Sequence, residues 1–172
     1  MRRTFASLLA AAAVASALAF AAAGRETRDG ELGGEDKAEI VRLTLERALL
    51  KKEIRDYRYI KDLNDIPLST ENVAGVPLPE LDGIKLVPLK PEEIQERAED
   101  DGNYVYFLEF SEFRIEGPKV TVTISHYPKY AKRLHPKYAG RPRPTAFGGA
   151  LIIEYRKRDG KWAGEVVGEI VV

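Results

Sequence analysis

The chain of 172 residues contains no cysteine. Neither a disulfide nor a zinc–thiolate site can therefore form, and the fold must be held together by noncovalent packing. Histidine is nearly as scarce: the only two, His126 and His135, lie in one stretch that has no acidic residue. Because a metal site normally combines several histidine or carboxylate ligands, this pair does not indicate one. We expect neither a metal nor a cofactor.

Catalytic motifs are also missing from the sequence, which has no Gly-rich phosphate loop, nucleophile elbow or catalytic triad. Three side chains have the chemistry to act as acids or bases near a pocket. His126 follows a strand-like stretch, Tyr104 shares one side of a predicted strand with Tyr106, and Glu109 lies between two apolar residues. The alternative for each is structural: a histidine capping a strand, a tyrosine in the core, and a glutamate that is exposed or paired.

The longest apolar run lies at the start of the chain. Arg2 and Arg3 precede a mostly apolar stretch from Leu8 to Phe20, and three alanines follow. This pattern is typical of a secretory signal peptide over residues 1–23, and the stretch is shorter than the about 20 residues of a membrane span. We therefore expect a periplasmic or secreted protein with no membrane span after cleavage. The two arginines fit either the Sec or the twin-arginine route.

Positive and negative charges balance over the whole chain but are unevenly distributed. Residues 25–116 contain 14 basic and 23 acidic residues, a net charge of −9, whereas residues 117–172 contain 11 basic and 4 acidic residues, a net charge of +7. The sequence is therefore electrically polarised along its length, and its carboxyl-terminal third is the positive part.

The most basic stretch is HYPKYAKRLHPKYAGRPRPT, residues 126–145, called the basic segment below. It reads as a long loop between two strands, kept extended by four prolines. Its cations and interleaved tyrosines suit phosphates, an anionic polysaccharide or an acidic protein surface; nucleic acid is not expected for an exported protein. The alternative is that the segment pairs with the acidic half of the chain. The candidate binding residues are Lys129, Tyr130, Lys132, Arg133, Lys137, Tyr138, Arg141 and Arg143.

Behind a flexible lead at 24–35, residues 36–172 read as a single domain. Asp36 and Glu39 form a capping pair that opens a helix reaching Ile54. A second helix is expected from Pro91 to Gly102. The predicted strands are a short pair, YRYIKD and IPLST, followed by four long strands, the last two joined by an Asp-Gly turn. Together these elements predict an α+β fold, in which a long N-terminal helix packs on a curved antiparallel sheet of four long strands plus the short strand pair.

This order of elements resembles the nuclear-transport-factor-2-like fold, and the closing hairpin YRKRDGKWAGEVV is similar to endings found in that superfamily. The stretches IPLSTENV and LKPEEIQERAEDDGNYVYFLEF also resemble a family of small exported bacterial proteins without an assigned function. A cystatin-like arrangement of helix on sheet fits nearly as well. The resemblance implies a cone whose pocket can carry acid–base residues, and it leaves open a homodimer formed through the sheet.

Two functions follow as hypotheses. The preferred one is an exported binding or interaction module of unknown ligand, which contacts an anionic partner through the basic segment. The alternative is a small pocket enzyme of isomerase, hydrolase or cyclase type that uses acid–base residues in the cone. A structural or inhibitory protein that docks by a sheet edge is a third possibility.

Overall fold

A computed structural model describes residues 32–133, 135–138 and 148–171. The expected signal peptide, most of the flexible lead, and the candidate binding residues Arg141 and Arg143 lie outside these ranges. The elements, in chain order, are α1 (Gly34–Leu45), a π-helical turn (Glu46–Leu50), a 3-10 turn (Tyr57–Tyr59), β1 (Asp65–Ser69), β2 (Lys85–Leu89), α2 (Pro91–Asp101), β3 (Tyr104–Glu116), β4 (Lys119–Tyr130), a 3-10 turn (Pro136–Tyr138), β5 (Gly149–Arg158) and β6 (Lys161–Val171).

All six strands belong to one open, mixed sheet in the order β2-β1-β3-β4-β5-β6. The four long strands β3 to β6 pair antiparallel, as the sequence predicts, whereas β1 runs parallel to both of its neighbours. The two helices and this sheet confirm an α+β fold. The short strand pair makes the sheet mixed, so the prediction of an antiparallel sheet holds for the four long strands alone.

The short strand pair differs from the prediction. YRYIKD forms turns instead of a strand, and the partner of β1 is KLVPL, with Asp65 opposite Lys85 and an ion pair of 3.1 Å between their side chains. Parallel neighbours need a crossover of a dozen or more residues, and residues 70–84 provide it. Because this stretch is rich in proline and glycine, its local sequence pattern predicts a connection and does not indicate the strand β2.

The first helix packs on one face of the sheet, called the core face below. Thr44 on α1 and Tyr155 on β5 are both fully buried, and their hydroxyl groups are hydrogen bonded at 2.9 Å. The helical stretch ends before the predicted Ile54, because Lys52 adopts a positive φ of 58°. Apolar residues of the helix and of β3, β4 and β5 complete this core, among them Ile40, Val41, Leu45, Leu49, Leu108, Phe110, Val122, Ile124, Leu151 and Ile153.

The predicted capping pair of the first helix is wrong. Gly33, not Asp36, is the N-cap residue, and no side chain caps this helix end. The Asp36 carboxylate instead accepts hydrogen bonds from the Lys157 ammonium at 2.6 Å and the Trp162 indole at 2.9 Å. Burial raises the pKa of Asp36, but the two hydrogen bonds and the Lys157 charge outweigh it. The pKa of Asp36 therefore lies below its usual value. A residue at the helix start therefore ties α1 to the β5–β6 hairpin.

The second helix covers the opposite face of the sheet and follows the prediction closely. It begins at Pro91, whose missing N–H costs nothing in a first turn, and the Glu93 carboxylate accepts the Lys90 N–H at 2.6 Å. Gly102 ends it with a φ of 69°, a conformation that glycine adopts without strain. Ile94 and Ala98 are the buried residues that seat this helix on the sheet.

The basic segment was predicted to be a loop from its first residue, and this is wrong for residues 126–130. They continue β4, which pairs with β3 as far as Tyr104 opposite Tyr130. The residue of β3 opposite Pro128 is Tyr106, and the pairing of β4 with β5 begins at Gly149, opposite His126. Pairing with β3 therefore continues the strand through Pro128. The connection itself begins at Ala131.

Candidate functional site

Four tyrosines, called the tyrosine cluster below, gather at the end of the core face beyond the helix. Alternation along the strands places Tyr104, Tyr106 and Tyr130 on this face, and the 3-10 turn brings in Tyr59. The ring of Tyr59 stacks on that of Tyr106 with centroids 5.4 Å apart, and Tyr104 lies 5.6 Å from Tyr106 and 5.8 Å from Tyr130. Burial, assisted by the neighbouring tyrosines, raises the pKa of Tyr106 to about 12.

The candidate His126 lies behind this cluster and is fully buried. Its Nε2 is 2.7 Å from the carbonyl oxygen of Arg55, to which it donates as a neutral imidazole, and its Nδ1 has no hydrogen-bond partner. Burial lowers the pKa of the imidazole, while the Arg55 carbonyl partly opposes this shift. A substrate cannot reach a ring with no exposed surface, so the position suits a structural histidine.

The backbone at Arg55 crosses the sheet at this point. A β-carbon on residue 149 would overlap the carbonyl oxygen of Arg55, which explains why glycine starts β5 there. The crossing chain and the His126 hydrogen bond together close the core face between the tyrosine cluster and α1. His126 lines none of the three cavities of about 670, 250 and 160 Å³ described below.

The third acid–base candidate, Glu109, lies on the other face of the sheet. The residue opposite Glu109 on β4 is Ser125, which precedes His126 and therefore points to the other face of the sheet. The Glu109 carboxylate accepts a hydrogen bond from the Tyr127 hydroxyl, and burial together with this carboxylate raises the pKa of Tyr127. The sheet therefore separates Glu109 from the other two candidates, His126 and Tyr104, and the three form no common site.

The candidate binding residues fall into two groups. Lys129 is half-buried on the same face as Glu109, where it lines a cavity of about 160 Å³ beneath the second helix. Lys132, Arg133 and Lys137 are exposed, and the Lys137 ammonium lies 4.7 Å from the ring centroid of the adjacent Tyr138. The exposed group forms the described part of the connection after β4.

This connection is attached to the body of the protein through its backbone. Three N–H groups donate hydrogen bonds of 2.8 Å to the end of α2 and the turn that follows it: Ala131 to the Asn103 carbonyl, His135 to the Gly102 carbonyl, and Lys132 to the Glu99 carboxylate. The bond from Lys132 is the main cause of a pKa for Glu99 below its usual value. Within the part of the chain that the structure describes, the side chains of Lys132, Arg133 and Lys137 form no ion pair.

Two grooves lie near the β1 side of the sheet. The larger, about 670 Å³, is lined mainly by apolar residues of β2 and of the crossover at 70–84, and its charged residues are Glu80 and Lys85. The smaller, about 250 Å³ and called the tyrosine groove below, is mixed in character. Its lining consists of Leu63, Asp65, Pro67, Arg97, Asp101, Tyr104, Val105 and Tyr106. It is the groove that brings tyrosine rings and charged side chains together.

Comparison of the chain with protein-family models, with curated proteins and with solved structures finds no match. Function must therefore be argued from the site itself. Over the described ranges, no group of three or more histidines and carboxylates has the geometry of a metal site. In the same ranges no helix is long and apolar enough to cross a membrane.

Sequence reasoning missed several residues of this region. The sequence predicts a strand at Tyr59. The stacking of Tyr59 on Tyr106 instead depends on a 3-10 turn, for which the sequence has no clear signal. Arg97 and Asp101 were read only as part of a helix. Their spacing of four places them on one side of it, which is the single local signal that could have grouped them. The expectation that Tyr104 and Tyr106 share one side of a strand is confirmed.

Proposed function

We propose that the protein is an exported binding module that contacts an anionic partner through the exposed residues of the basic segment. The observation that carries the proposal is the way in which the segment is attached. Its backbone makes the contacts to the helix end, and the side chains of Lys132, Arg133 and Lys137 form no ion pair with the described residues. Unpaired cations on an anchored connection are ready to meet carboxylate, sulfate or phosphate groups at little ordering cost.

The charge distribution supports the same proposal. The positive part of the chain does pair with acidic residues, but through strand residues such as Lys119 and Lys157. Pairing of the basic segment with the acidic half was the alternative explanation for its charge. The Lys132 N–H donates to the Glu99 carboxylate, and this bond and the nearby Lys132 charge both lower the pKa of that carboxyl, but the ammonium group forms no ion pair with the described residues.

Export, and a cone-like shape of the nuclear-transport-factor-2 type, belong to the proposal as predictions. An envelope or extracellular location would bring the basic segment into contact with acidic polysaccharides and acidic proteins. The enzyme alternative is not proposed, because the candidates His126 and Glu109 lie on opposite faces of the sheet and the histidine is fully buried.

The test is retention on a sulfated cation-exchange resin along a salt gradient. A triple variant, K132A/R133A/K137A, is expected to elute at a clearly lower salt concentration than the wild type, because the fixed charges it removes are those that release counterions on binding. Lys129 is left unchanged because it is half-buried under the second helix.

A control variant removes three exposed cations elsewhere, K51A/R158A/K161A, and so has the same net charge as the test variant. It is expected to elute close to the wild type. Equal shifts for the two variants would mean that retention depends on net charge alone, and would refute a binding role for the basic segment.

A further inference from the structure

The tyrosine groove adjoins the basic segment directly. Tyr104 lines the groove, and its ring lies 5.8 Å from that of Tyr130, the residue just before the connection. The next residue, Ala131, donates its N–H to the carbonyl of Asn103, which precedes Tyr104 in the chain. An extended ligand of several units could therefore occupy the groove and contact the start of the connection at once.

The walls of the tyrosine groove combine flat apolar surface with unused polar groups. The planes of Tyr104 and Tyr106 are nearly perpendicular, at 87°. Arg97 and Asp101 face the same groove from the second helix and form no ion pair within the described residues. The hydroxyl groups of the two tyrosines likewise form no hydrogen bond with that part of the chain. The helix residues and the tyrosine rings reach this groove from opposite faces of the sheet, because three consecutive residues of β3 line it. Within the described residues they do not satisfy one another.

This combination selects among ligand classes. A phosphate group has no ring for the tyrosines and no hydroxyl donor for the carboxylates of Asp65 and Asp101. An alkyl chain would leave Arg97 and Asp101 desolvated without a partner. A sugar ring offers apolar C–H faces to the tyrosines, and each of its hydroxyl groups is both a donor and an acceptor, which matches a guanidinium beside a carboxylate.

We propose that the tyrosine groove binds one sugar ring of an acidic polysaccharide whose charged groups contact Lys132, Arg133 and Lys137. This proposal names the class of ligand for the proposed function. It depends on that function for the contact between the ligand's charged groups and the basic segment. The ring site itself rests only on the residues of the groove. One sugar ring is the scale set by a groove of about 250 Å³, which is smaller than the sites of most drug-sized ligands.

The experiment compares two anionic probes by isothermal titration calorimetry on the full chain after signal removal. One is a hexamer of galacturonate, which has rings and carboxylates, and the other is linear hexaphosphate, which has charge but no ring. Tyr104→Ala is expected to weaken hexagalacturonate binding by about tenfold, the loss of one aromatic contact, and to leave hexaphosphate binding unchanged.

Because Tyr104 lies in a central strand, a second variant tests the groove from the exposed side of α2. R97A/D101N is expected to reduce hexagalacturonate binding severalfold, again without an effect on hexaphosphate. Glu96→Ala is the matched control, since Glu96 is exposed on the same helix and does not line the groove. It is expected to bind both probes as the wild type does.

The outcomes separate the two proposals. If the wild type binds both probes and neither groove variant changes either affinity, the ring site is refuted and the anionic contact stands. If only hexagalacturonate binds and the groove variants weaken it, the ring site stands and the general anion-binding function is refuted. If neither probe binds, both proposals are refuted.

Discussion

A single buried imidazole holds the crossing chain over the sheet. His126 donates from Nε2 to the carbonyl of Arg55, and the neighbouring Gly149 makes room for that carbonyl. Tyr59 and Tyr106 lie beside the ring, with centroids 6.5 Å and 6.1 Å from it. In the neutral form this arrangement leaves one nitrogen, Nδ1, without a partner; in the charged form it would bury an N–H donor and a net charge.

The stability of the protein should therefore depend on pH through His126. Burial lowers the pKa of His126 in the folded state. Below about pH 6.5 the imidazole is therefore protonated in the unfolded chain but still neutral in the folded one. The free energy of unfolding is thus unaffected by this group above that pH, and falls as the pH decreases, by up to about 1.4 kcal/mol per pH unit, until the folded imidazole is protonated too. Asp56 is the nearby acid that works against the shift.

Urea unfolding of His126→Gln between pH 7.5 and 5 checks this expectation. Glutamine retains an N–H donor for the Arg55 carbonyl but does not titrate, so the pH slope should flatten even if the variant is less stable throughout. His135→Gln is the matched control, because His135 is exposed, and it should keep the wild-type slope. Equal slopes for wild type and His126→Gln would contradict the assignment.

At the scale of elements, the carboxylate of Glu99 fastens the start of the connection to α2. It accepts the Lys132 N–H and a hydrogen bond of 2.6 Å from the Gln95 amide. Replacing Glu99 with alanine should release the backbone at Lys132 and Arg133, since the remaining bonds, from Ala131 and His135, lie on either side. The body of the domain should be unaffected because Glu99 is at the surface.

Limited trypsin digestion reports this release, because trypsin cleaves after lysine and arginine. We expect Glu99→Ala to be cut after Lys132 or Arg133 several times faster than the wild type, at unchanged thermal stability, as for other locally opened surface segments. Glu96→Ala, which removes an acid from the same helix without touching the connection, should be cut at the wild-type rate. Unchanged cleavage of Glu99→Ala would show that the other backbone bonds suffice.

Elements defined by local chemistry could be predicted from the sequence. The hairpin at Asp159-Gly160 is present, with positive φ at both residues. The second helix, α2, begins at Pro91 and is ended by Gly102, as predicted. Elements that depend on distant partners could not be predicted. β2 exists because β1 pairs with it across a 15-residue crossover, and β4 continues through Pro128 to Tyr130 because β3 pairs with it as far as Tyr104.

The candidate site divides in the same way. Tyr104 and Tyr106 could be placed on one side of β3 from alternation alone. That His126 lies on their side of the sheet, and Glu109 on the opposite side, depends on the register of two long strands, Leu108 opposite His126. A shift of one residue would exchange these faces, so the sequence could not decide which acid–base candidates meet.

At the scale of the whole molecule, the polarised charge is partly neutralised by folding. Lys157 on β5 pairs with Asp36 on α1, and Lys119 at the start of β4 pairs with Glu116. These contacts join the negative and positive parts of the chain across the fold. Lys132, Arg133 and Lys137 are exposed and form no ion pair with the residues that the structure describes, so they keep the positive charge that attracts an anionic partner at long range.

Export remains a prediction from residues 1–23, and it can be tested on the whole protein. Expressed in full in a bacterial host, the chain should be recovered from the periplasm or medium with a mass that corresponds to cleavage near Gly24. Intact protein confined to the cytoplasm would contradict both the export prediction and the expected setting for an acidic polysaccharide.

The replacement R2K/R3K distinguishes the route of export. The twin-arginine route reads the pair of guanidinium groups, whereas the Sec route needs only positive charge ahead of the apolar run. Because lysine keeps the charge but not the planar guanidinium, export by Sec should continue unchanged and export by the twin-arginine route should stop. Accumulation of uncleaved R2K/R3K protein would therefore identify the twin-arginine route, and normal processing would identify Sec.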